Sequence, residues 1–425
     1  MASQSVYWKF YWPLTLTGAA MLLGSQFQNG ILARYPDSSR ELAVFAIAGS
    51  LSFFFTSALV FIPQQINVYA RSPHGRRMCF RFTLAISAGM AVPMALASLT
   101  PWGRALLGRA YGLEGDMLIS VAEYLGYLAP LVILAGMRSY LAGLLIQSRL
   151  TGWVTLVNIA QLAALSGLLL LGKSLGWRAV ETVAISGAAS SLLELGLSYW
   201  LCQRKYHPPV KLEHEQVTYG EMMSFFWPTA ITSLMFSLSR PVIFSYVSRL
   251  PEALMMLAAL RVGFDFGMLF FNPLNQFRHF YVTFGNEDPT GVRTFAIRVM
   301  LVTTLIMAVV CATPLSGLFL GELLGVQGEV LWMSREVVAV MCLIPAAMTL
   351  RNYYHGQLLN TRNTFRMGVG GIARIVCIYG AAVFFFKMGI LDHITASLIL
   401  VVGFVAEALA VWTKAPVPVA SEVRG

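Results

Sequence analysis

RSYLAGLLIQSR, from Arg138 to Arg149, is answered 213 positions later by RNYYHGQLLNTR, from Arg351 to Arg362. The same offset lays Ile159-Ala160-Gln161 on Ile372-Ala373-Arg374, and Glu194 on Glu407. Phe10-Tyr11-Trp12-Pro13 is matched 215 positions on by Phe225-Phe226-Trp227-Pro228. One such match could be chance. Four in the same order at nearly one spacing mark an internal duplication, so the fold is expected as two copies of one unit.

The unit is apolar. Of 425 residues 57% are hydrophobic and 12% charged, against about 25% charged in soluble domains. The surrounding solvent is therefore expected to be lipid. A helix needs about 20 apolar residues to cross the hydrocarbon core. Spans are predicted near 11–33, 42–69, 80–103, 117–147, 152–173, 178–202, 219–248, 251–284, 294–320, 329–357, 364–387 and 391–413. The fold class is thus an all-α membrane protein of about twelve transmembrane helices in two pseudo-symmetric six-helix lobes. The expected division is an N-terminal lobe 1–202, a cytoplasmic linker 203–218, a C-terminal lobe 219–413 and a short tail 414–425.

Lysine and arginine in alternate loops set the orientation. One set holds Arg71, Arg76, Arg77 and Arg81, then Arg149, then Arg204, Lys205 and Lys211, then Arg293, Arg298, Arg362 and Arg366; Lys9, Lys414 and Arg424 fall on that side. The other set is poorer, so both termini are expected in the cytoplasm, in a plasma membrane or bacterial inner membrane. The net charge of +10 follows from those loops and is not a nucleic-acid signature. Cys79, Cys202, Cys311, Cys342 and Cys377 show no metal or disulfide spacing. The apolar stretch from Tyr11 to Ala33 carries Gln26, Gln28 and Asn29 and reads as a membrane helix rather than a signal peptide.

Each half has an even number of spans, so the copies share one orientation and should be related by an axis along the membrane normal. A substrate site at the interface of such repeats is a recurring transporter plan. Ionisable groups in hydrocarbon must be paired or line a wet cavity, and they nominate the site. Arg138 with Glu194, and Arg351 with Glu407, read as duplicated ion pairs between spans four and six and spans ten and twelve, with a direct substrate role as the alternative. The second half adds Arg240 where the first has Ser25, Arg374 where it has Gln161, and His355 where it has Ala142. None of the three has a duplicated acidic mate. Arg240 precedes Pro241, which can kink span seven. Arg261 and Asp265 have the spacing of an intrahelical pair, with a coupling or gating role as the sharper reading. Pro63 and Asn272-Pro273 mark irregularities, and Gln26, Asn29, Gln64, Gln65, Asn158 and Gln161 add neutral polar groups. Candidate substrate-binding residues are Arg240, Arg374, His355, Arg351, Gln161, Gln26 and Asn29. A net positive cavity suits an anion, because the guanidinium fork donates two hydrogen bonds at once to carboxylate or phosphate.

At Tyr11-Trp12-Pro13-Leu14, MMSFFWP (Met222 to Pro228), SRPVIFSYVSR (Ser239 to Arg249), the Arg351-to-Arg362 string and GFVAE (Gly403 to Glu407), the chain resembles the progressive ankylosis family. That family lies in the multidrug/oligosaccharidyl-lipid/polysaccharide flippase superfamily, which includes the multidrug and toxic compound extrusion (MATE) transporters. The resemblance implies the two-lobed plan, alternating access and export of pyrophosphate, ATP or citrate. The chain departs from the animal proteins in having Ser25, Gln26 and Asn29 in place of acidic residues in span one, and no long acidic tail.

The expected function is export of a small multivalent anion, with Arg240 and Arg374 holding the cargo while the halves rock. The rivals are a lipid-linked oligosaccharide flippase and a cation or drug antiporter, for which Asp265 is the only tempting free carboxylate. Enzymatic motifs such as HExxH, a Walker loop or a nucleophile elbow are missing from the sequence. No cofactor or metal is expected. The expected partners are the lipid bilayer and a small anionic substrate, with the chain as a monomer.

Overall fold

The computed structural model describes residues 4–148, 150–207, 217–275, 277–285, 288–360 and 365–412. Arg149, Lys211, Arg362, Lys414 and Arg424, the tail and most of the linker 203–218 lie outside the described residues, as do the side chains of Lys9, Gln64 and Asn272.

The first half contains α1 (Gln4–Leu32), α2 (Ser38–Ser57), α3 (Ile62–Tyr69), α4 (Pro73–Leu99), α5 (Pro101–Tyr111), α6 (Gly115–Gln147), α7 (Thr151–Ser174) and α8 (Ala179–Lys205). The second contains α9 (Tyr219–Ser237), α10 (Ser239–Val247), α11 (Ala253–Asn275), α12 (Phe277–Phe284), α13 (Pro289–Ala312), α14 (Leu315–Gly317), α15 (Gly328–Met341), α16 (Ile344–Asn360), α17 (Phe365–Lys387) and α18 (His393–Val411). Among the described residues nine helices are long and apolar enough to cross a membrane, and α15 with α16, bent by 41°, makes a tenth. Helix α1 and the α9–α10 pair stand where the sequence places spans one and seven. Leu301, Leu305 and Ile306 on α13 are exposed, as expected of a face turned to lipid rather than water.

Several spans are broken where the sequence carries a breaker. Helix α2 passes through a tight turn at Ala58–Phe61 into α3, with Pro63 in the first turn of α3. A proline is tolerated there because its missing N–H would have no helical partner. The α9–α10 break falls at Leu238, just before Arg240 and Pro241. The span predicted at 80–103 starts earlier, at Pro73, and ends at Leu99. Thr100 caps the separate short helix α5 by accepting from the Gly103 N–H. Helix α8 runs three residues past the expected lobe boundary at 202.

The duplicated strings now have a physical meaning. Gly143 and Gly356 occupy the same place in the two copies. A Cβ on Gly143 would lie 2.7 Å from Ile66 Cβ and 3.0 Å from Pro63 Cα on α3. One on Gly356 would collide with Tyr281 on α12. Each glycine lets a long helix press onto the short helix that ends a broken span, as small residues do in membrane interfaces. In the YWP and FWP openings Tyr11 and Phe226 are buried while Trp12 and Trp227 are exposed, the position of amphipathic aromatics at a bilayer boundary.

Within the first lobe α6 packs on α2, α3, α4 and α8; within the second α18 packs on α15, α16 and α17. Between lobes α1 and α2 lie against α11, and α2 also meets α9 and α10. Hydrogen bonds bridge this seam at both ends. At the end bearing the termini, Tyr7 donates to Asp288 Oδ2 (2.9 Å), Tyr11 to the Pro273 carbonyl (2.9 Å) and Gln65 to the Met222 carbonyl (3.2 Å). At the other end Arg34 donates to the Leu323 and Leu324 carbonyls, and Arg249 to those of Arg109 and Ala110. Arg249 lies across Gly112, whose φ of 63° ends α5 in the left-handed conformation that glycine adopts without strain.

Candidate functional site

Between the two bridged ends the lobes enclose a cavity of about 510 Å³. Its charged lining is Arg138, Arg240, Arg261 and Asp265, with Ser25 beside them and Phe236 and Phe404 on another wall. Volumes of about 300–1,000 Å³ hold small ligands.

Asp265 organises one wall. Arg240 Nη1 is 2.6 Å from Asp265 Oδ1, and Arg261 Nε is 3.0 Å from Asp265 Oδ2. From α1, Ser25 Oγ (2.7 Å) and Asn29 Nδ2 (2.9 Å) also donate to Oδ2. Asn29 turns its carbonyl oxygen to Arg261 Nε at 3.1 Å. Arg261 lies over the Phe45 ring and Arg240 over Phe264, 4.6 and 5.6 Å from the ring centroids, contacts that favour a cation. Arg261 pairs with Asp265 at the expected intrahelical spacing, and Asp265 also accepts hydrogen bonds from three side chains belonging to both lobes, Arg240, Ser25 and Asn29, so it is not the free carboxylate that the antiporter rival needs. Arg240, which has no duplicated acidic mate, finds this one elsewhere in the sequence. The break before α10 brings Arg240 down onto α11, and helical spacing alone could not show that.

Arg138 on α6 reaches Glu194 on α8 at 2.7 Å; the arginine is 35% exposed toward the cavity and the carboxylate 7%. The corresponding pair in the second lobe is more elaborate. Arg351 Nε on α16 is 2.9 Å from Glu407 Oε1, and Arg374 Nη1 on α17 is 2.5 Å from Glu407 Oε2. His355 Nε2 lies 3.8 Å from the same carboxylate. Arg374 therefore also has an acidic mate, one it shares with Arg351. It is 1% exposed and stacks behind Phe236 (4.7 Å) and Phe404 (5.6 Å), both of which wall the cavity. Arg240 and Arg374, read from sequence as one pair of cargo-holding residues, are thus separated by an aromatic layer.

Gln161 donates to Ser190 at 3.4 Å inside the first lobe. Gln26 is buried, and neither amide atom has a hydrogen-bond partner among the described residues. Neither lines the cavity. The sequence reading passes over Arg278 on α12, which acts electrostatically on Arg351 and Glu407. An arginine in the apolar run 271–284 was signal enough. Phe236 and Phe404 carried no chemical signal and are found only by position.

Outside the spans, Asp288 caps α13. The Gly291 N–H and the Tyr7 hydroxyl hold its carboxyl below the usual range, since both donors favour the charged form.

A family model described as progressive ankylosis protein (ANKH) matches residues 1–316. The chain belongs to that family. Solved structures place the family's fold in a wider group. An inward-facing multidrug resistance MATE family transporter of the MOP superfamily aligns at a TM-score of 0.65 and 16% identity, covering 96% of this chain and 93% of that one. The lipid II flippase MurJ, in an inward closed conformation, aligns at 0.69 and 14%, with 93% and 86% covered. A MOP superfamily transporter from Pyrococcus furiosus, for which reverse polarity of the binding pocket suggests a different function, aligns at 0.61 and 15%, with 94% and 93% covered. At these identities the likeness is one of fold: twelve helices in two lobes. The ANKH family chain is accordingly a multi-pass membrane protein of transporter architecture.

Proposed function

We propose that this chain is an alternating-access transporter that exports a small multivalent anion, of the citrate, pyrophosphate or nucleotide type, through the cavity between its lobes. The observation that carries this reading is the convergence of Arg240 and Arg261 on Asp265 at the cavity wall. The internal carboxylate of Asp265 holds the two guanidiniums as an anionic cargo would. An entering anion with two or more charges competes for the same guanidiniums, whose planar forks match carboxylate and phosphate oxygens. Arg138, opposite, adds a third positive group. Asp265 is also the residue to which α1 is tied through Ser25 and Asn29. Cargo that draws Arg240 and Arg261 away rearranges the bonds across the lobe seam, and this links occupancy to rocking of lobes 1–202 and 219–413.

In this reading the chain is a monomer with both termini in the cytoplasm, the polybasic loops facing inward, and it catalyses no covalent step. Asp265 is too well paired to serve as the free carboxylate of a cation antiporter, which leaves a phosphate-bearing lipid as the rival cargo. Efflux of labelled citrate and pyrophosphate from proteoliposomes, wild type beside Arg240→Gln, tests the proposal. Efflux by wild type and its loss in a well-folded variant is the expected result. Folded wild type that moves neither anion would overturn it in favour of the lipid cargo.

A further inference from the structure

We propose that the second lobe holds a small monovalent anion, a halide such as chloride, in the buried cluster formed by Arg278, Arg351, Arg374 and His355 around Glu407. The site is separate from the cavity and does not depend on which cargo the cavity carries.

Charge and donor count lead to this ligand. The charges acting on Arg278 are Arg351 and Glu407, and those acting on Arg374 are Glu407 and Arg351. Among the described residues Glu407 alone supplies negative charge to the group. Arg351 and Arg374 therefore share one carboxylate and Arg278 lies within the field of the same charges, deep in the lobe, where uncompensated charge is costly. Their donors are also left over. Among the described residues Arg374 Nε, Arg278 Nε and the single N–H of the neutral His355 ring have no hydrogen-bond partner, and Arg351 Nε is near Glu407 Oε1 without being aligned to donate to it. His355 is 2% exposed and Arg374 1%, so bulk water does not satisfy them. Native interiors rarely leave this many donors unmatched in one place.

The first lobe lacks both the charge and the donors. Arg138 pairs with Glu194 one to one, Gln161 stands where Arg374 does, and Ala142 stands where His355 does. The excess is present in one copy only, which suits an added ligand rather than a structural pin shared by both. A halide fits because it accepts several N–H donors from any direction and carries one charge into a tight space. The enclosed position behind Phe236 and Phe404 does not suit a bulky multi-oxygen anion.

The test uses the purified full chain in detergent at constant ionic strength, with sodium gluconate exchanged stepwise for sodium chloride. A ligand that binds only the folded state raises the unfolding midpoint with concentration. Wild type is expected to show a saturating rise. Arg374→Gln and His355→Ala should each weaken the apparent chloride affinity about tenfold or more, while Arg240→Gln in the cavity leaves it unchanged. Identical midpoints in both salts would refute the site and assign the donors to ordered water. A chloride response lost in Arg240→Gln and kept in Arg374→Gln would move the ion to the cavity and equally overturn the proposal. Should both cluster variants fail to fold, wild-type crystals grown in bromide decide. An anomalous peak among Arg278, Arg351, Arg374 and His355 supports the site, and no peak there refutes it.

Discussion

Ser25 and Arg240, which occupy equivalent positions in the two halves, hydrogen-bond to opposite oxygens of one carboxylate, that of Asp265. The duplication gave each lobe the same position facing the seam. One copy carries a small hydroxyl and the other a cation, so the symmetric frame holds an asymmetric site.

Removing the carboxylate should hurt folding more than removing either base. Asp265→Asn leaves the buried Arg261 beside the half-buried Arg240 without a counter-charge, and losing one partner of a buried pair costs about 3–5 kcal/mol. Arg240→Gln leaves Asp265 still paired with Arg261 and should cost less. The double variant is expected to recover part of the Asp265→Asn loss. Thermal unfolding in detergent checks the order, and equal losses in the two single variants would contradict the shared-carboxylate arrangement.

The pair in the first lobe should respond unevenly. Arg138→Gln strands Glu194, which is buried, whereas Glu194→Gln leaves Arg138, which reaches the cavity. A stranded buried charge is the costlier state, and a half-solvated one is largely screened. Arg138→Gln is therefore expected to lower the unfolding midpoint more than Glu194→Gln, and the reverse order would place Arg138 in a drier setting than its exposure indicates.

The paired glycines make a symmetric prediction. A Cβ at Gly143 must displace Ile66, and one at Gly356 must displace Tyr281. Overpacking of this kind costs about 1–3 kcal/mol. Gly143→Ala and Gly356→Ala should each destabilise, whereas Gly167→Ala, where a Cβ meets nothing within 4 Å, should be neutral or slightly stabilising. Unfolding midpoints for the three variants, measured together, settle the point.

Asp288 gives a pH dependence with a definite sign. Its folded carboxyl lies below its ordinary pKa, so the contribution of the Gly291 and Tyr7 contacts is fully present above the unfolded value of about 3.9. That contribution fades as pH falls through the lowered folded value. Asp288→Asn should remove this acid-side loss without changing the midpoint's trend above about pH 5. Unfolding midpoints across that range, wild type against variant, would show two superimposable profiles if the contacts contribute nothing.

Much of the architecture follows from short-range properties that a linear reading captures. Apolar length gives the spans, and the register between Arg138 and Arg351 gives the duplication and the kinship of the lobes. Proline positions give the breaks: Pro63 and Pro241 each mark a place where a helix hydrogen bond cannot form. These signals depend on neighbours in sequence and on the solvent a segment prefers, and both are properties of composition and period. Arg138 and Glu194 were legible as partners because duplication repeated them as a set.

What only the tertiary structure decided is which charges meet. Arg240 and Asp265 are 25 residues apart, and Arg374 and Glu407 are 33 apart. No periodicity connects them, because the contact depends on how α10 lies on α11 and how α17 lies on α18. The same packing put Phe236 and Phe404 between two groups of arginines that the sequence presents as one. Electrostatic energy depends on separation and burial in three dimensions, so the count of basic residues was readable from the chain, and their division into a cavity wall and a buried cluster was not.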